Sequence, residues 1–182
     1  MSGALLVMDF QAGVVERLAS PDVLARAAEA TRAARAAGVP VIFVRVAFRA
    51  GHPEVAAGNR AFSALRGAGR MLEYGVAIHP ALDRRDDEPI VTKRRVSAFT
   101  GSDLEVLLRG MGVRSLVLCG IATGGVVLST VREAADRDYE LTVLRDACSD
   151  ADDEVHRVLM EKVFPRQAAV IDVAVWAQRL RS

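Results

Sequence analysis

Aromatic residues, histidines and cysteines are scarce in this chain. Among 182 residues, aromatic side chains make up 5%, with 3 histidines and 2 cysteines. Lysine and arginine total 24 against 23 aspartates and glutamates, so the formal net charge is only +1. A chain without a basic excess or aromatic-rich stretches lacks the usual features of a protein that binds nucleic acid or a membrane surface. We therefore expect the partner to be a small-molecule substrate or a second copy of the chain.

The cysteines and the first residues indicate the cellular compartment. Cys119 and Cys148 match no spacing typical of a disulfide or a metal site. The opening MSGALLVMDF lacks the basic region and cleavage site of a signal peptide, which predicts a cytoplasmic protein. The length and the 51% hydrophobic content suit one globular domain over residues 1–182.

Short apolar runs alternate with helix-forming stretches along the chain. Six runs are typical of strands: ALLVMD, PVIFVRV, EPIVTK, SLVLC, YELTVL and AAVI. This alternation predicts an α/β fold with three layers, α/β/α, around a six-stranded, mostly parallel sheet. The segment from Ala47 to Asp87 is less regular, which predicts a lid, a pocket wall or an assembly surface.

The helices carry recognisable start and stop signals. Ser20-Pro21 is a good start for the alanine-rich helix that ends before Gly38. Ser102 and Glu105 have the spacing of a capping box. Further helices are predicted over residues 126–137 and 152–163 and at the carboxyl terminus, and the acidic run near Asp152 suits a helix start.

Three predicted strands end in polar or glycine-rich sequence. Asp9 follows the first strand, Lys93 ends the third, and the loop that begins at Gly120 follows the fourth. Ligands of open α/β sheets bind beyond the carboxyl ends of the strands, so these groups could share one site. A carboxylate beside an ammonium can perform acid-base chemistry, although a purely structural ion pair is equally consistent with the spacing.

Four separated motifs resemble the isochorismatase-like hydrolases. They are MDFQ at residues 8–11, VTKRRVSAF at 91–99, GIATGGVVLSTVREAADRDYEL at 120–141, and RDACSD. The motifs follow the family's order, and only residues 47–87 are poorly covered. The resemblance implies the isochorismatase-like, Rossmann-like fold, with a six-stranded parallel sheet between helices. It also implies a homo-oligomer, either a dimer or a tetramer.

The amidase branch of that family uses an Asp-Lys-Cys triad, and this chain matches two of its members. Asp9 and Lys93 correspond to the acid-base pair, which in the family deprotonates the cysteine and supports the charged intermediate. Where the amidase loop reads Gly-x-x-Thr-x-x-Cys-Val, this chain has Val126 in place of the cysteine. Valine can neither attack a carbonyl nor accept a proton. The resemblance also implies that the Ile121-Ala122 peptide bond is cis.

No other side chain is a convincing replacement for the nucleophile. Cys119 and Cys148 are expected to be structural, and Ser129 and Thr130 to hydrogen-bond the backbone of a helix. Thr123 belongs to the loop in the family pattern.

Metal binding is also not expected. The nicotinamidase branch has an Asp-x-His pair and a further histidine, whereas the corresponding stretch here contains His52 alone. His79 and His156 form no cluster with it in the sequence. We therefore expect no metal site and no cofactor.

Our first hypothesis is a noncovalent hydrolase acting on a small metabolite. In the isochorismatase branch, a glycine occupies the nucleophile's position, and an aspartate and a lysine serve the cleavage of a vinyl ether that releases pyruvate. By resemblance, Asp9 would protonate the substrate or activate water, and Lys93 would stabilise negative charge. A general acid needs a raised pKa, so burial of Asp9 has to outweigh the effect of Lys93. The expected substrate contacts are Gln11, Phe99, Ala122, Thr123, Gly125 and Val126.

Alternatives remain for the protein and for several residues. The second hypothesis is a catalytically inactive family member that binds a small molecule or serves in assembly. Gln11 could equally bind substrate or hold the loop, and Phe99 could be a core residue. Arg45 and Arg49 could meet an anionic substrate, although a solvated or interface role is the more common one.

Overall fold

Six parallel strands form one sheet at the centre of the molecule. The computed structural model describes residues 3–67 and 77–181, with the side chains of 64–67 left out. The order of the strands is β3-β2-β1-β4-β5-β6, and every neighbouring pair is parallel. This confirms the predicted α/β fold with six strands. The strands are β1 (Gly3–Met8), β2 (Val41–Val46), β3 (Ile90–Lys93), β4 (Ser115–Ile121), β5 (Glu140–Ser149) and β6 (Ala169–Ile171).

Seven α-helices connect and cover the strands within the described residues. They are α1 (Ala12–Leu18), α2 (Pro21–Ala36), α3 (Arg60–Gly67), α4 (Leu104–Gly110), α5 (Leu128–Ala135), α6 (Asp153–Val158) and α7 (Val173–Arg179). A π-helical turn, Thr123–Val127, leads into α5, and another, Leu159–Val163, continues α6. Short 3-10 helices lie at Pro80–Leu82 and Phe164–Arg166. None of the helices described is long and apolar enough to cross a membrane.

The central strands are buried on both faces, as their uninterrupted apolar sequences predict. In β1, the residues from Ala4 to Met8 have no solvent exposure. In a parallel sheet, both faces must be covered by helices, which explains why these strands do not alternate between apolar and polar residues. The core runs from β1 and β2 through β4 and β5 to the helices on either side.

Most helix boundaries follow the predicted signals, with one exception. The Ser20 hydroxyl accepts a hydrogen bond from the amide of Val23, and Gly38 adopts a φ of 67° beyond the end of α2. The predicted capping box is wrong. The Ser102 hydroxyl donates to the Ala98 carbonyl at 2.6 Å, while the Glu105 carboxylate accepts from Arg109 at 2.7 Å one turn along α4.

The segment after β2 contains more regular structure than its sequence indicated. Helix α3 begins after Asn59, whose side chain accepts a hydrogen bond from the Phe62 amide. Helix α1 had not been predicted either. The predicted lid or pocket wall lies partly outside the described residues, because positions 68–76 belong to it. At the other side of the sheet, β5 extends five residues beyond the predicted YELTVL, so Cys148 lies within this strand and not after it.

The strand order brings the three informative strand ends to one edge. From the central pair β1 and β4, the chain proceeds to β2 and β3 on one side and to β5 and β6 on the other. The connections on the two sides diverge at this switch point, which leaves a crevice at the carboxyl edge. Asp9, Lys93 and the loop after β4 all lie along that edge.

Candidate active site

Asp9 occupies a turn immediately after β1. Its φ of 59° lies in the left-handed region, which aspartate and asparagine tolerate better than most residues. The amide of Asp9 donates a 2.9 Å hydrogen bond to the Val44 carbonyl of β2. On the other side of β1, Gly120 of β4 is so close that a Cβ atom there would lie 3.0 Å from the Met8 carbonyl oxygen. The backbone around the carboxylate is therefore held from both neighbouring strands.

Asp9 and Lys93 form a buried ion pair. The Lys93 Nζ lies 2.9 Å from Asp9 Oδ2, and the two residues are 2% and 6% exposed. The same ammonium donates to the Arg95 carbonyl at 3.1 Å. The other carboxylate oxygen, Asp9 Oδ1, is buried and has no hydrogen-bond partner among the described residues. Burial raises the pKa of Asp9 and outweighs the lowering effect of the adjacent Lys93.

The loop after β4 is held by the segment that follows β5. The Thr123 hydroxyl is fully buried and lies 2.8 Å from Nδ1 of His156 on α6. The Gly124 amide donates to Asp150 Oδ2 at 2.6 Å. Sequence reasoning missed both contacts, because it considered His156 only as a metal ligand and Asp150 only as part of an acidic run. A histidine shortly after an acidic run does not by itself indicate that its ring contacts a loop after another strand.

Two amides of this loop already have partners within the protein. Besides the Gly124 amide, the Gly125 amide donates to the Ala122 carbonyl at 3.1 Å. The peptide bond before Ala122 is cis, as the resemblance implied. Ala122 and Gly125 are partly exposed, whereas Val126 is only 2% exposed and belongs to the core.

Comparison with known proteins identifies the family. Residues 3–175 match the family model described as the isochorismatase domain. The chain belongs to the isochorismatase family of hydrolases. This confirms the family resemblance on which the residue assignments were based.

Individual relatives match this chain over nearly its whole length. It is similar to the uncharacterized isochorismatase family protein YecD of Escherichia coli O157:H7, with 37% identity over 93% of this chain and 92% of that protein. It is 31% identical to the ureidoacrylate amidohydrolase RutB of Stutzerimonas stutzeri over 93% of this chain and 75% of that protein. The solved structure of an isochorismatase family protein from Burkholderia thailandensis matches with a TM-score of 0.85 and 32% identity, covering 100% and 96% of the two chains.

Gln11 acts as a tether in this structure. Its side-chain oxygen accepts a hydrogen bond from the Val46 amide at 2.8 Å, and its Nε2 donates to the Val46 carbonyl at 3.1 Å. Both ends of the amide are therefore used to join the start of α1 to the end of β2. Of the two roles weighed for Gln11, these contacts favour holding the loop over binding substrate.

Phe99 lies away from the ion pair. Its ring contacts Tyr139 at a centroid distance of 6.0 Å, and the Arg137 guanidinium lies 4.8 Å from its centroid. Tyr139 precedes β5, at the opposite edge of the sheet from the Asp9–Lys93 pair. Of the two roles weighed for Phe99, these contacts favour a core residue over a substrate contact, because the loop after Lys93 runs along α5 and carries Phe99 with it.

The remaining thiols and hydroxyls have structural positions. Burial raises the pKa of the Cys119 thiol well above its usual value and that of Cys148 to about 12, so neither forms a thiolate at neutral pH. The Thr130 hydroxyl accepts a hydrogen bond from the Ala98 amide at 3.0 Å. It thereby joins α5 to the loop after β3.

The histidines do not form a metal centre in the described part of the chain. There, no three histidine, cysteine, aspartate or glutamate side chains are close enough together to hold an ion. His52 is buried against Phe48, with its ring centroid 6.1 Å from that of the phenylalanine. His79 begins the 3-10 helix, and its Nδ1 accepts a hydrogen bond from the Ala81 amide. His156 is committed to Thr123.

Proposed function

We propose that this protein is an isochorismatase-like hydrolase that acts on a small metabolite by noncovalent acid-base chemistry. The observation that carries the proposal is the state of Asp9. One carboxylate oxygen pairs with Lys93, and the other is buried without a partner among the described residues. An unpaired buried polar atom is rare in proteins, and at a strand end beside an ammonium it suits a group that exchanges a proton with a ligand.

The raised pKa of Asp9 suits a general acid. The sequence left open whether burial could outweigh the effect of Lys93, and in this structure it does. With a vinyl ether, Asp9 would deliver its proton to the vinyl carbon, and water would add to the resulting oxocarbenium ion while its released proton returns to Asp9. The hemiketal formed in this way would then collapse: its C–O bond to the ring breaks, the ring oxygen leaves as an alcohol with the hemiketal hydroxyl proton, and pyruvate is released. Lys93 would hold a carboxylate of the substrate or the charge that develops near it.

The loop after β4 would orient the substrate without supplying a nucleophile. Val126 stands where the amidases of the family have their cysteine, so a covalent intermediate at that position is excluded. Gly124 is exposed, and Ala122 and Gly125 are partly exposed. We therefore propose that the substrate contacts the backbone of Ala122 and Gly125, while the buried side chains of Thr123 and Val126 fix the shape of the loop beneath it.

The alternative is an inactive family member that binds a metabolite or serves in assembly. The valine at the nucleophile's position favours it, and so do the Gly124 and Gly125 amides, whose hydrogen bonds are already made within the protein. The buried Asp9–Lys93 pair favours catalysis, because a protein without acid-base chemistry gains little from an expensive buried ion pair.

The first test is pyruvate release from isochorismate by the purified protein and its Asp9→Asn variant. Asparagine keeps the size of the side chain and tolerates the left-handed φ, so the variant removes the proton donor with the least disturbance of the turn. Arg157→Gln, on the exposed face of α6, serves as a matched surface control. We expect turnover in the native protein and the control and a loss of at least about 100-fold in Asp9→Asn. Equal turnover in all three proteins would refute the role of Asp9.

An absence of turnover in all three proteins would remove isochorismate from the candidate substrates. Val126→Cys would then be tested on a panel of amides that includes ureidoacrylate, the substrate in the name of the related amidohydrolase. Amide hydrolysis gained by this variant would show that the rest of an amidase site is intact. Failure of that variant as well would favour the binding or assembly role.

The predicted homo-oligomer, a dimer or a tetramer, belongs to the same proposal. Members of the family commonly assemble. Size-exclusion chromatography with light scattering gives the mass directly, to be compared with the 19.5 kDa of one chain.

A further inference from the structure

A polar pocket next to Lys93 is lined by three arginines. It has a volume of about 440 Å³ and is formed by Arg49, Glu54, Arg94, Arg95, Thr100 and Gly101. Arg94 and Arg95 follow the catalytic lysine in the chain, and the Arg95 carbonyl accepts the hydrogen bond from the Lys93 ammonium. We call this cavity the arginine pocket. Its backbone is in direct contact with the proposed acid-base pair.

The arginine pocket carries an excess of positive charge. Within residues 3–67 and 77–181, Glu54 is the only carboxylate that pairs with any of its three arginines, at 2.7 Å from Arg49 and 3.6 Å from Arg94. Arg137 pairs with two glutamates, and so does Arg157. Two guanidinium charges of the arginine pocket are therefore left without a matching carboxylate.

The guanidinium groups of Arg94 and Arg95 are held in position by backbone carbonyls. Arg95 donates to the carbonyls of Arg94 and Glu54, both at 2.7 Å, and Arg94 donates to the Ala47 carbonyl. A carbonyl oxygen orients a guanidinium without neutralising its charge. Each group has five N–H donors in a fixed plane, so donors remain after these bonds.

The backbone at Gly101 packs closely against the side chain of Arg94. Gly101 has a φ of 73°, and a Cβ atom at that position would lie 3.0 Å from the Cβ of Arg94. The Thr100 hydroxyl donates its proton to Glu133 at 2.9 Å. The cationic groups of the pocket are therefore its three arginines.

We infer that the arginine pocket binds an oxyanion, either a carboxylate or a phosphate group. Fixed guanidinium groups in excess over their counter-ions suit the paired oxygens of both groups. As a statement about the substrate, the inference rests on the proposed function: the substrate carries an anionic group in this pocket while the reacting bond lies at Asp9 and Lys93. The binding itself requires no turnover, so a catalytically inactive protein would still show it.

The test is calorimetric titration of the native protein with sodium phosphate and, separately, sodium succinate at constant ionic strength. Arg49 is 68% exposed, so Arg49→Gln is expected to fold normally. Loss of the Arg49 guanidinium should weaken anion binding about two- to fivefold. Glu54→Gln removes the single negative charge and should tighten binding by a similar factor. Arg157→Gln, which removes an exposed glutamate-paired arginine on α6, should bind like the native protein.

The opposite signs of the two substitutions separate a built site from general salt effects. Binding of one anion only, with the expected changes in both variants, supports the inference and identifies the group as carboxylate or phosphate. Absence of binding by both anions overturns it. So does binding that is the same in the native protein, Arg49→Gln and Glu54→Gln, because the anion would then lie elsewhere.

Discussion

The Asp9–Lys93 pair allows a quantitative prediction about stability that does not depend on the substrate. At the observed 2.9 Å and an effective dielectric constant of about 20, the Coulomb attraction is about 6 kcal/mol. Desolvation of two buried charges costs several kcal/mol for each ion, so the net contribution of the pair is small. Removing one partner leaves the other charge buried and unpaired, and we expect Asp9→Asn and Lys93→Met each to cost about 3–5 kcal/mol.

The double variant should be much more stable than the sum of the single effects indicates. With both charges absent, the remaining cost is that of one buried amide without its former partner, about 1–3 kcal/mol. The coupling energy between the two sites is then about 3 kcal/mol or more. Urea unfolding of the four proteins at pH 7 measures it. Strictly additive costs would refute the conclusion that the pair is buried and mutually dependent.

The pH dependence of Lys93→Met provides an independent check. Without the ammonium, the pKa of the buried Asp9 rises further above its value in the unfolded chain, because Lys93 is the group that lowers it. A carboxyl group with a raised pKa in the folded state costs nothing below its unfolded pKa and destabilises progressively as the pH rises towards the folded value. The stability deficit of Lys93→Met should therefore be smallest near pH 4 and grow towards neutral pH. A stability deficit independent of pH would contradict the conclusion that Lys93 lowers the pKa of a buried Asp9.

Two further predictions concern the packing around the site. Gly120→Ala should lower the free energy of unfolding by about 1–3 kcal/mol, measured with urea, because the added Cβ would lie 3.0 Å from the Met8 carbonyl oxygen. Gly58→Ala is the control and should be nearly neutral, since no atom lies within 4 Å of its added Cβ. Equal effects of the two substitutions would show that β1 and β4 are less tightly packed. Burial lowers the pKa of His156, so native stability should fall as the pH drops through that lowered pKa, and His156→Gln should reduce this loss between pH 7 and pH 5. An unchanged pH profile would exclude His156 as its source.

The sequence predicted the strands and the positions of Asp9 and Lys93 at strand ends because both depend on local patterns. A strand buried on both faces needs a continuous apolar run, and β1 has one that ends at Asp9. In a parallel sheet, all such runs point their carboxyl ends to the same edge, so the sequence indicated that Asp9 and Lys93 could share one site. That β2 alone separates β1 from β3 is known only from the structure. The ion pair of Asp9 and Lys93 required only that both side chains be long enough to meet.

The features that could not be predicted depend on the direction of side chains in three dimensions. Phe99 follows Lys93 by six residues, but the loop between them runs along α5 and takes the ring to Tyr139. Gln11 was expected near the site, and only the position of β2 determines that its amide meets Val46. The contact between Thr123 and His156 joins residues 33 positions apart, and neither residue has a local signal for it.

The pairing of β1 with β4 divides the proposed active site between two parts of the chain. The ends of β1 and β3, within the first 93 residues, carry Asp9 and Lys93, whereas the loop proposed to orient the substrate follows β4 and is held by residues after β5. During synthesis, the strands that carry the ion pair leave the ribosome before β4 exists to cover the inner edge of β1. Sheet contacts between segments so distant in sequence form slowly, because closing a long loop costs entropy before the contact is made. The Asp9–Lys93 pair thus meets the loop after β4 only when the two halves of the sheet join, and formation of the complete proposed site reports that late step of folding.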